Sequence, residues 1–220
     1  IALRCSYCDG GSTENNIGFL GLCSDEVIKD NIGVQKRPVC KADDSPCRAY
    51  FEGNISRAEL EKLDVLPCYE SGILSCWTAF AGYAQSGKNK GNPIEANKFQ
   101  QNGLCALTTV YPDTCEEMRC IFAAFISDEP CGSENRKAGL ITASSKYRLC
   151  FTPKQAQKLL FWNYYANTAK PQSAKWCMGE YRYFDNIIAA QMLRDMAAVK
   201  KNTSDEKLAL EFFEYFCGFS

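Results

Sequence analysis

The chain has 220 residues, of which 46% are hydrophobic, 12% are aromatic and none is histidine. A chain of this length and composition can bury a core of its own, which excludes a disordered protein and a miniature fold that depends on disulfides. The absence of imidazole excludes serine–histidine triads, histidine–metal nuclease sites and His/Cys deaminase zinc sites. Neither a P-loop nor a dinucleotide-binding glycine motif is present. We therefore expect a protein that is not an enzyme.

No segment approaches the roughly 18 consecutive apolar residues of a membrane span. The first residues, Ile1 to Cys5, lack the basic region followed by an apolar stretch that marks a signal peptide. We expect a soluble, cytoplasmic protein. The first residue is not Met, so a processed N-terminus stays open.

The 14 cysteines allow two interpretations. Cys105, Cys120 and Cys150 lie in apolar runs, where a free thiol behaves as a small hydrophobic side chain. This placement favours a reduced, cytoplasmic protein. The even number of cysteines also permits a secreted protein with disulfides.

The strongest local motif is Cys5-Ser-Tyr-Cys8, which is followed by Cys23, Cys40 and Cys47. Two thiolates in a CxxC knuckle turn toward one ion, and a second pair completes a tetrahedral zinc site. Residues 1–55 contain few apolar residues, and metal binding would supply folding free energy to them. We expect structural zinc bound by Cys5, Cys8, Cys40 and Cys47. Cys23 is a fifth candidate ligand, and an iron–sulfur cluster, disulfides or free thiols are the alternatives.

Helix-capping residues mark the first predicted elements. Ser24 precedes Asp25-Glu26 and predicts a short helix, and Ser56 with Glu59 forms a capping box ahead of another. A third helix is expected over residues 73–83. The polar, glycine-rich residues 85–93 then predict a loop that is a boundary or a mobile lid.

Strands are expected next, followed by further helices. Thr152-Pro153 provides a helix N-cap with proline at the first helical position, and Asp185 caps a later helix. The predicted strands cover residues 104–111, 119–126, 139–142 and 147–151, and the predicted helices cover residues 152–165, 186–200 and 204–216. This order of elements is typical of an α+β fold.

Charge is divided unevenly along the chain. Residues 1–135 carry a net charge of −7, residues 136–201 carry +9 and residues 202–220 carry −3. Within the basic part, residues 147–184 hold 10 of the 27 aromatic residues, interleaved with lysine and arginine. Basic residues contact phosphates and aromatic rings stack on unpaired bases, so this stretch indicates nucleic-acid binding. The candidate nucleic-acid-binding residues are Arg148, Trp162, Lys175, Trp176, Tyr181 and Arg182. Alternatively, the rings belong to the core and the basic block pairs with the acidic half.

Residues 104–128 resemble the barrel strands of PUA-like and EVE-type domains. The resemblance rests on Ala106-Leu-Thr-Thr-Val-Tyr-Pro-Asp113 and Ile121-Phe-Ala-Ala-Phe125, followed by the basic aromatic stretch, and it extends over about residues 70–200. The chain departs from the EVE pattern because it lacks a tryptophan-led first strand. The resemblance implies a small β-barrel whose aromatic pocket binds modified bases in DNA or RNA. It would place Trp162, Trp176 and Tyr181 in the pocket and Arg148 and Arg182 near phosphate.

Together these features predict an α+β protein with two parts. Residues 1–55 would form a cysteine-rich zinc module, and residues 56–220 a PUA-like β-barrel domain with C-terminal helices. The expected function is nucleic-acid binding, including recognition of a modified or flipped base. The alternative is a secreted, disulfide-rich protein that binds a protein partner without catalysis.

Overall fold

The computed structural model describes residues 1–84, 86–95, 99–127, 129–130, 132–143, 145–168, 170–176 and 179–218. The strands are β1 (Ala2–Arg4), β2 (Thr78–Phe80), β3 (Gly103–Thr109), β4 (Cys120–Ser127), β5 (Leu140–Thr142), β6 (Arg148–Cys150) and β7 (Tyr181–Arg182). The helices are α1 (Asp25–Lys29), α2 (Pro38–Lys41), α3 (Pro46–Phe51), α4 (Arg57–Glu61), α5 (Ile73–Cys76), α6 (Glu134–Lys137), α7 (Pro153–Ala156), α8 (Asn186–Lys200) and α9 (Glu206–Cys217). The predicted α+β class is confirmed.

The core is built around the antiparallel pair β3 and β4. Every residue of β4 is buried, and only the first residue of β3 is not. Strands buried on both faces read as continuous apolar runs, which is why the sequence of this pair predicts strands so clearly. A five-stranded mixed sheet forms around the pair in the order β6-β4-β3-β1-β7.

The first strand lies inside this sheet. Ala2–Arg4 pairs in parallel with β3 and in antiparallel orientation with β7. Thr108 fixes it further, because its backbone carbonyl accepts a hydrogen bond from the Cys5 N–H at 2.8 Å and its hydroxyl donates to the Leu3 carbonyl at 2.7 Å. Three residues are too few to show a strand period, so the sequence does not predict this element.

The described sheet is open, so the barrel implied by the resemblance is not present in this part of the chain. β6 and β7 form its two edges, and β2 and β5 pair separately as a two-stranded ribbon. The long helices α8 and α9 pack against each other as a hairpin. None of the described helices has the length and apolar character needed to cross a membrane.

Residues 1–55 share one core with the rest of the protein. The ring of Phe19 stacks on Phe122 of β4 with centroids 4.0 Å apart and planes 7° apart, and both rings are fully buried. Ile17, Val27 and Ile28 belong to the same buried cluster as the sheet. The expected boundary at residue 55 therefore does not separate two cores.

Capping motifs are reproduced, whereas two predicted helices are shorter than expected. Ser24, Ser56, Thr152 and Asp185 each accept the capping hydrogen bond that the sequence predicts. The helix expected over residues 73–83 ends at Cys76 because Trp77 adopts a left-handed conformation (φ 50°), and β2 follows. The helix expected over 152–165 is the four-residue α7 followed by a 3₁₀ turn at Phe161–Asn163. In the predicted loop 85–93, Gln85 lies outside the described residues, and the residues after it form bends and turns.

We predict that Phe19→Ala destabilises the whole protein by about 3–5 kcal/mol, because it removes a buried ring that touches the central strand. Chemical denaturation followed by circular dichroism would measure the loss as one cooperative transition. The matched control is Phe51→Ala, which removes a ring that is 43% exposed and should cost much less. Two separate transitions, with residues 1–55 unfolding first, would contradict the shared core.

Candidate functional site

The structure buries Trp176, which the sequence analysis assigned to a stacking surface. Its side chain is only 2% exposed and its indole N–H donates to the Gly179 carbonyl at 2.8 Å. The guanidinium carbons of Arg119 and Arg182 lie 4.8 and 5.0 Å from its ring centroid. Cation–π contacts of this kind hold the arginines inside the protein. Trp176 is therefore a core residue, and its assignment to an open base-stacking surface is corrected.

Arg148 lies at the opposite edge of the sheet from Tyr181 and Arg182. Arg148 begins β6 and its guanidinium donates to the carbonyls of Ala143 and Ser145, whereas Tyr181 and Arg182 form β7 at the far edge. Four strand spacings separate these edges, which is roughly 19 Å. Arg148 is therefore separate from the other predicted residues, of which Arg182 and Trp162 lie against Trp176.

Trp162 lies near Trp176 in space, and Lys175 precedes it in the sequence. Trp162 is half-buried, 6.3 Å from Trp176 between ring centroids, and its indole N–H donates to the Glu116 carbonyl at 2.7 Å. Lys175 is exposed. Trp162 and Lys175 are therefore accessible to solvent at least in part, beside the buried Trp176.

The predicted zinc ligands are not arranged as a metal centre. Across the described residues, no three or more cysteine or acidic side chains are grouped so that they hold a metal ion. Cys8 is near Cys40 and Cys47, whereas the charged groups that shift the pKa of Cys5 are those of Glu70, Cys105, Arg119 and Glu180. None of the other three predicted ligands is among the groups that shift the pKa of Cys5, for which burial is the largest cause.

Cys8 is instead the centre of a different thiol group, which we call the Cys8 cluster. A hydrogen bond with Cys8 is the largest cause of the raised pKa of Cys23. Burial raises the pKa of Cys40 to about 12 and of Cys47 to about 11, and it also raises that of Cys68, with Cys8 adding to each shift. The members of the cluster are Cys8, Cys23, Cys40, Cys47 and Cys68. All the described cysteines are free thiols, and the raised pKa values of Cys23, Cys40, Cys47 and Cys68 keep these four protonated and weakly nucleophilic near neutral pH.

A pocket of about 480 Å³ lies where the end of β1, the α2–α3 region and β2 meet. Its volume is within the range of about 300–1,000 Å³ that small-molecule sites occupy. The side chains that give it chemical character are Arg4, Arg37, Tyr69, Glu70, Phe80, Tyr83 and Glu180. We call it the Glu70 pocket.

Glu70 places a buried carboxyl group in this pocket. The residue is 3% exposed, its Oε1 accepts a hydrogen bond from the Ser6 N–H at 3.4 Å, and its Oε2 has no hydrogen-bond partner of good geometry among the described residues. Burial raises the pKa of Glu70, although its own N–H, that of Ser6, the Cys68 thiol and the Tyr69 hydroxyl lower it in part. An open acceptor at such a position is available to an N–H donor of a ligand.

Arg37 contributes a hydrogen-bond donor to the pocket, whereas Glu70 contributes an acceptor. Its Nε is buried and has no hydrogen-bond partner within the described part of the chain. Burial lowers the pKa of Arg37, and the positive charges of Arg4 and Arg119 lower it further. Because burial and two nearby cations disfavour its charge, an anion placed beside Arg37 and Arg4 would be bound favourably.

Three aromatic rings complete the pocket. Tyr69 and Phe80 meet edge to face with centroids 6.0 Å apart, and Phe80 and Tyr83 do so at 4.9 Å. The rings touch one another edge to face and all three line the pocket, so a flat aromatic ligand would stack against this group of rings.

Gly82 allows the chain to close this side of the pocket. It has φ +88°, which favours glycine, and a Cβ at this position would lie 3.0 Å from Cγ of Glu180. Glu180 is held on the other side because its backbone carbonyl accepts the Arg4 N–H at 2.8 Å. A side chain at residue 82 would therefore displace Glu180 from the pocket.

Sequence reasoning missed the Glu70 pocket because its residues come from five separate segments. No spacing rule connects Arg4, Arg37, Glu70, Phe80 and Glu180, which the fold brings together through β1 and β7. The only local signal was a single acid at Glu70 within the mostly uncharged sequence of residues 65–83.

No known family model, curated protein or solved structure matches this chain. The resemblance to PUA-like and EVE-type domains therefore stays a prediction. The chemistry of the Glu70 pocket provides the basis for a function.

Proposed function

We propose that the protein binds nucleic acid and holds one unpaired or flipped base in the Glu70 pocket. The observation that carries the proposal is the presence of two buried polar atoms, the acceptor Glu70 Oε2 and the donor Arg37 Nε, in the lining of one aromatic pocket, where neither has a hydrogen-bond partner among the described residues. Buried polar groups are normally paired, so an unpaired donor and an unpaired acceptor together indicate a ligand that carries both functions.

A nucleotide unit has the matching groups. Its phosphate would lie at Arg37 and Arg4, its base would stack among Tyr69, Phe80 and Tyr83, and an N–H of the base edge would donate to Glu70. A base inside a duplex cannot reach such a concave site, which is why the occupant is unpaired or flipped. Apart from Glu180, the residues that line the pocket lie outside the basic aromatic stretch. Lys175 and the half-buried Trp162 remain candidates for contacts to the neighbouring strand.

We predict that single-stranded DNA or RNA binds at low salt and that Arg37→Gln and Arg4→Gln each weaken binding. Each lost phosphate contact should flatten the slope of log K against log salt by about 0.7 for a single strand. Fluorescence anisotropy with labelled oligonucleotides at several salt concentrations measures this. Arg194→Gln is the control, because Arg194 is exposed on α8 and does not line the pocket, and it should leave the slope unchanged. Failure of every DNA and RNA tested to bind at low salt would contradict the proposal.

Replacing aromatic rings should lower affinity without this change in slope. Tyr83→Ala should cost about 1–3 kcal/mol of binding free energy, because stacking responds little to salt. Tyr83 is 52% exposed, so the variant should fold. Trp162→Phe provides the comparison in the same anisotropy assay and should have a smaller effect. A larger loss for Trp162 than for Tyr83 would move the base site to the basic aromatic stretch.

Structural zinc is a separate proposal, and the arrangement of thiols changes which ligands it would use. Cys8, Cys40 and Cys47 belong to the Cys8 cluster with Cys23 and Cys68, whereas Cys5 faces Cys105. A bound ion would lower the thiol pKa values and hold the segments that carry these cysteines together.

We predict about one equivalent of zinc in protein purified without chelators, measured by elemental analysis. Cys8→Ser should abolish binding, and chelation should disorder mainly residues 1–55. Cys105→Ser, a buried thiol of β3, is the control and should retain the metal. Protein without metal and without titratable thiols would instead support the secreted, disulfide-rich alternative.

A further inference from the structure

The charges of the Glu70 pocket are unusual for a site that would hold a neutral base. Three carboxyl groups, those of Asp44, Glu70 and Glu180, line it together with two arginines, Arg4 and Arg37. Glu180 and Glu70 line the same pocket. Burial is the largest cause of the raised pKa of Tyr69, and the charges of both acids raise it further. The Glu70 side of the pocket is therefore acidic as well as aromatic.

Glu70 also lacks a cation within the protein. It forms no ion pair with a lysine or arginine in the described residues. Burial raises the pKa of Glu70 and so disfavours its negative charge, and the groups that oppose this shift in part are backbone N–H groups, a thiol and a hydroxyl rather than a cation. A buried carboxylate without a cation is costly. A neutral base would supply one N–H donor to Oε2 but would leave the negative charge of Glu70 uncompensated.

The aromatic rings favour the same kind of ligand. Cations bind to the faces of tyrosine and phenylalanine through the ring quadrupole, and recognition of methylated cations by groups of aromatic rings with acids is a known use of this interaction. Tyr69 meets Phe80 edge to face, and Phe80 meets Tyr83 in the same way. The faces of the three rings therefore point in different directions around the space beside Glu70.

We propose that the Glu70 pocket selects a base that carries a fixed positive charge through methylation of a ring nitrogen, with 1-methyladenine as the representative. Its charge compensates Glu70, its amino group donates to Oε2, and its flat ring stacks among the three aromatic side chains. The inference rests on the proposed function and specifies which base the pocket prefers.

A methylated ammonium group of a peptide would also satisfy the acids and the rings. It would leave Arg37 and Arg4 without a partner, whereas a nucleotide brings a phosphate to them. The arginines therefore favour the nucleotide.

The test compares three nucleotides by isothermal titration calorimetry with the full chain. The probes are 1-methyladenosine 5′-monophosphate, its neutral isomer N6-methyladenosine 5′-monophosphate, and unmodified adenosine 5′-monophosphate. The two methylated probes have the same heavy atoms and differ in the position of the methyl group and by one proton, which gives the N1-methylated base its positive charge, so the comparison tests the charge of the base. We expect the cationic probe to bind at least tenfold more tightly than either neutral probe.

Glu70→Gln keeps the size of the side chain and removes its charge, so it should reduce the preference for the cationic probe to less than threefold. Glu14→Gln, at an exposed acid outside the pocket, is the control and should leave the preference unchanged. If Glu70→Gln does not fold, Tyr83→Leu provides the second variant, because loss of this exposed ring should reduce the preference at least threefold.

Four results would overturn the inference. Equal affinity for the charged and neutral probes would overturn the inference. The proposed function would still stand in that case, provided that oligonucleotides bind. A preference that persists undiminished in Glu70→Gln would remove Glu70 as its source. Binding of a trimethyllysine peptide that exceeds binding of all three nucleotides would replace the base with a peptide ligand. Absence of binding to oligonucleotides and nucleotides alike would contradict the proposed function as well.

Discussion

The position of the first strand is the constraint on which the rest of the structure depends. Ala2–Arg4 lies between β3 and β7, with its backbone groups paired on both sides. Burying a strand in the middle of a sheet is favourable only when its polar backbone groups find partners, and Thr108, Thr109 and Glu180 help to supply them. Once this strand is fixed, the residues that follow it have little conformational freedom in their backbone.

The Glu70 pocket is a direct consequence. Arg4 ends the strand and enters the pocket, and the Ser6 N–H two residues later contacts the Glu70 carboxyl group. The same strand pairs with β7, so Glu180, the residue before β7, reaches the pocket from the other side. Acidic and basic side chains thus converge beside a group of aromatic rings. Stability is usually lost at such sites, and they are retained where a ligand compensates.

The basic aromatic stretch shows that the same composition can belong to a protein core or to a binding surface. Arginine and tryptophan do lie together there, but Arg119 and Arg182 contact the ring of a tryptophan that is almost completely buried. The same pairs that stack on a base can stack on each other, and sequence alone does not distinguish these arrangements. Only the burial of Trp176 decides between them.

The sequence by itself determined the features that arise from neighbouring residues: the capped helix starts at Ser24, Ser56, Thr152 and Asp185, the central strands β3 and β4, and the α+β class. These follow from local hydrogen bonds and from apolar runs, which are visible in a short window of sequence. Tertiary structure alone decided the pairing of β1, the open sheet, the Cys8 cluster and the Glu70 pocket. Each of these joins segments far apart in the chain, for example Leu3 with Leu107, and such contacts depend on the total packing of the core rather than on any local pattern.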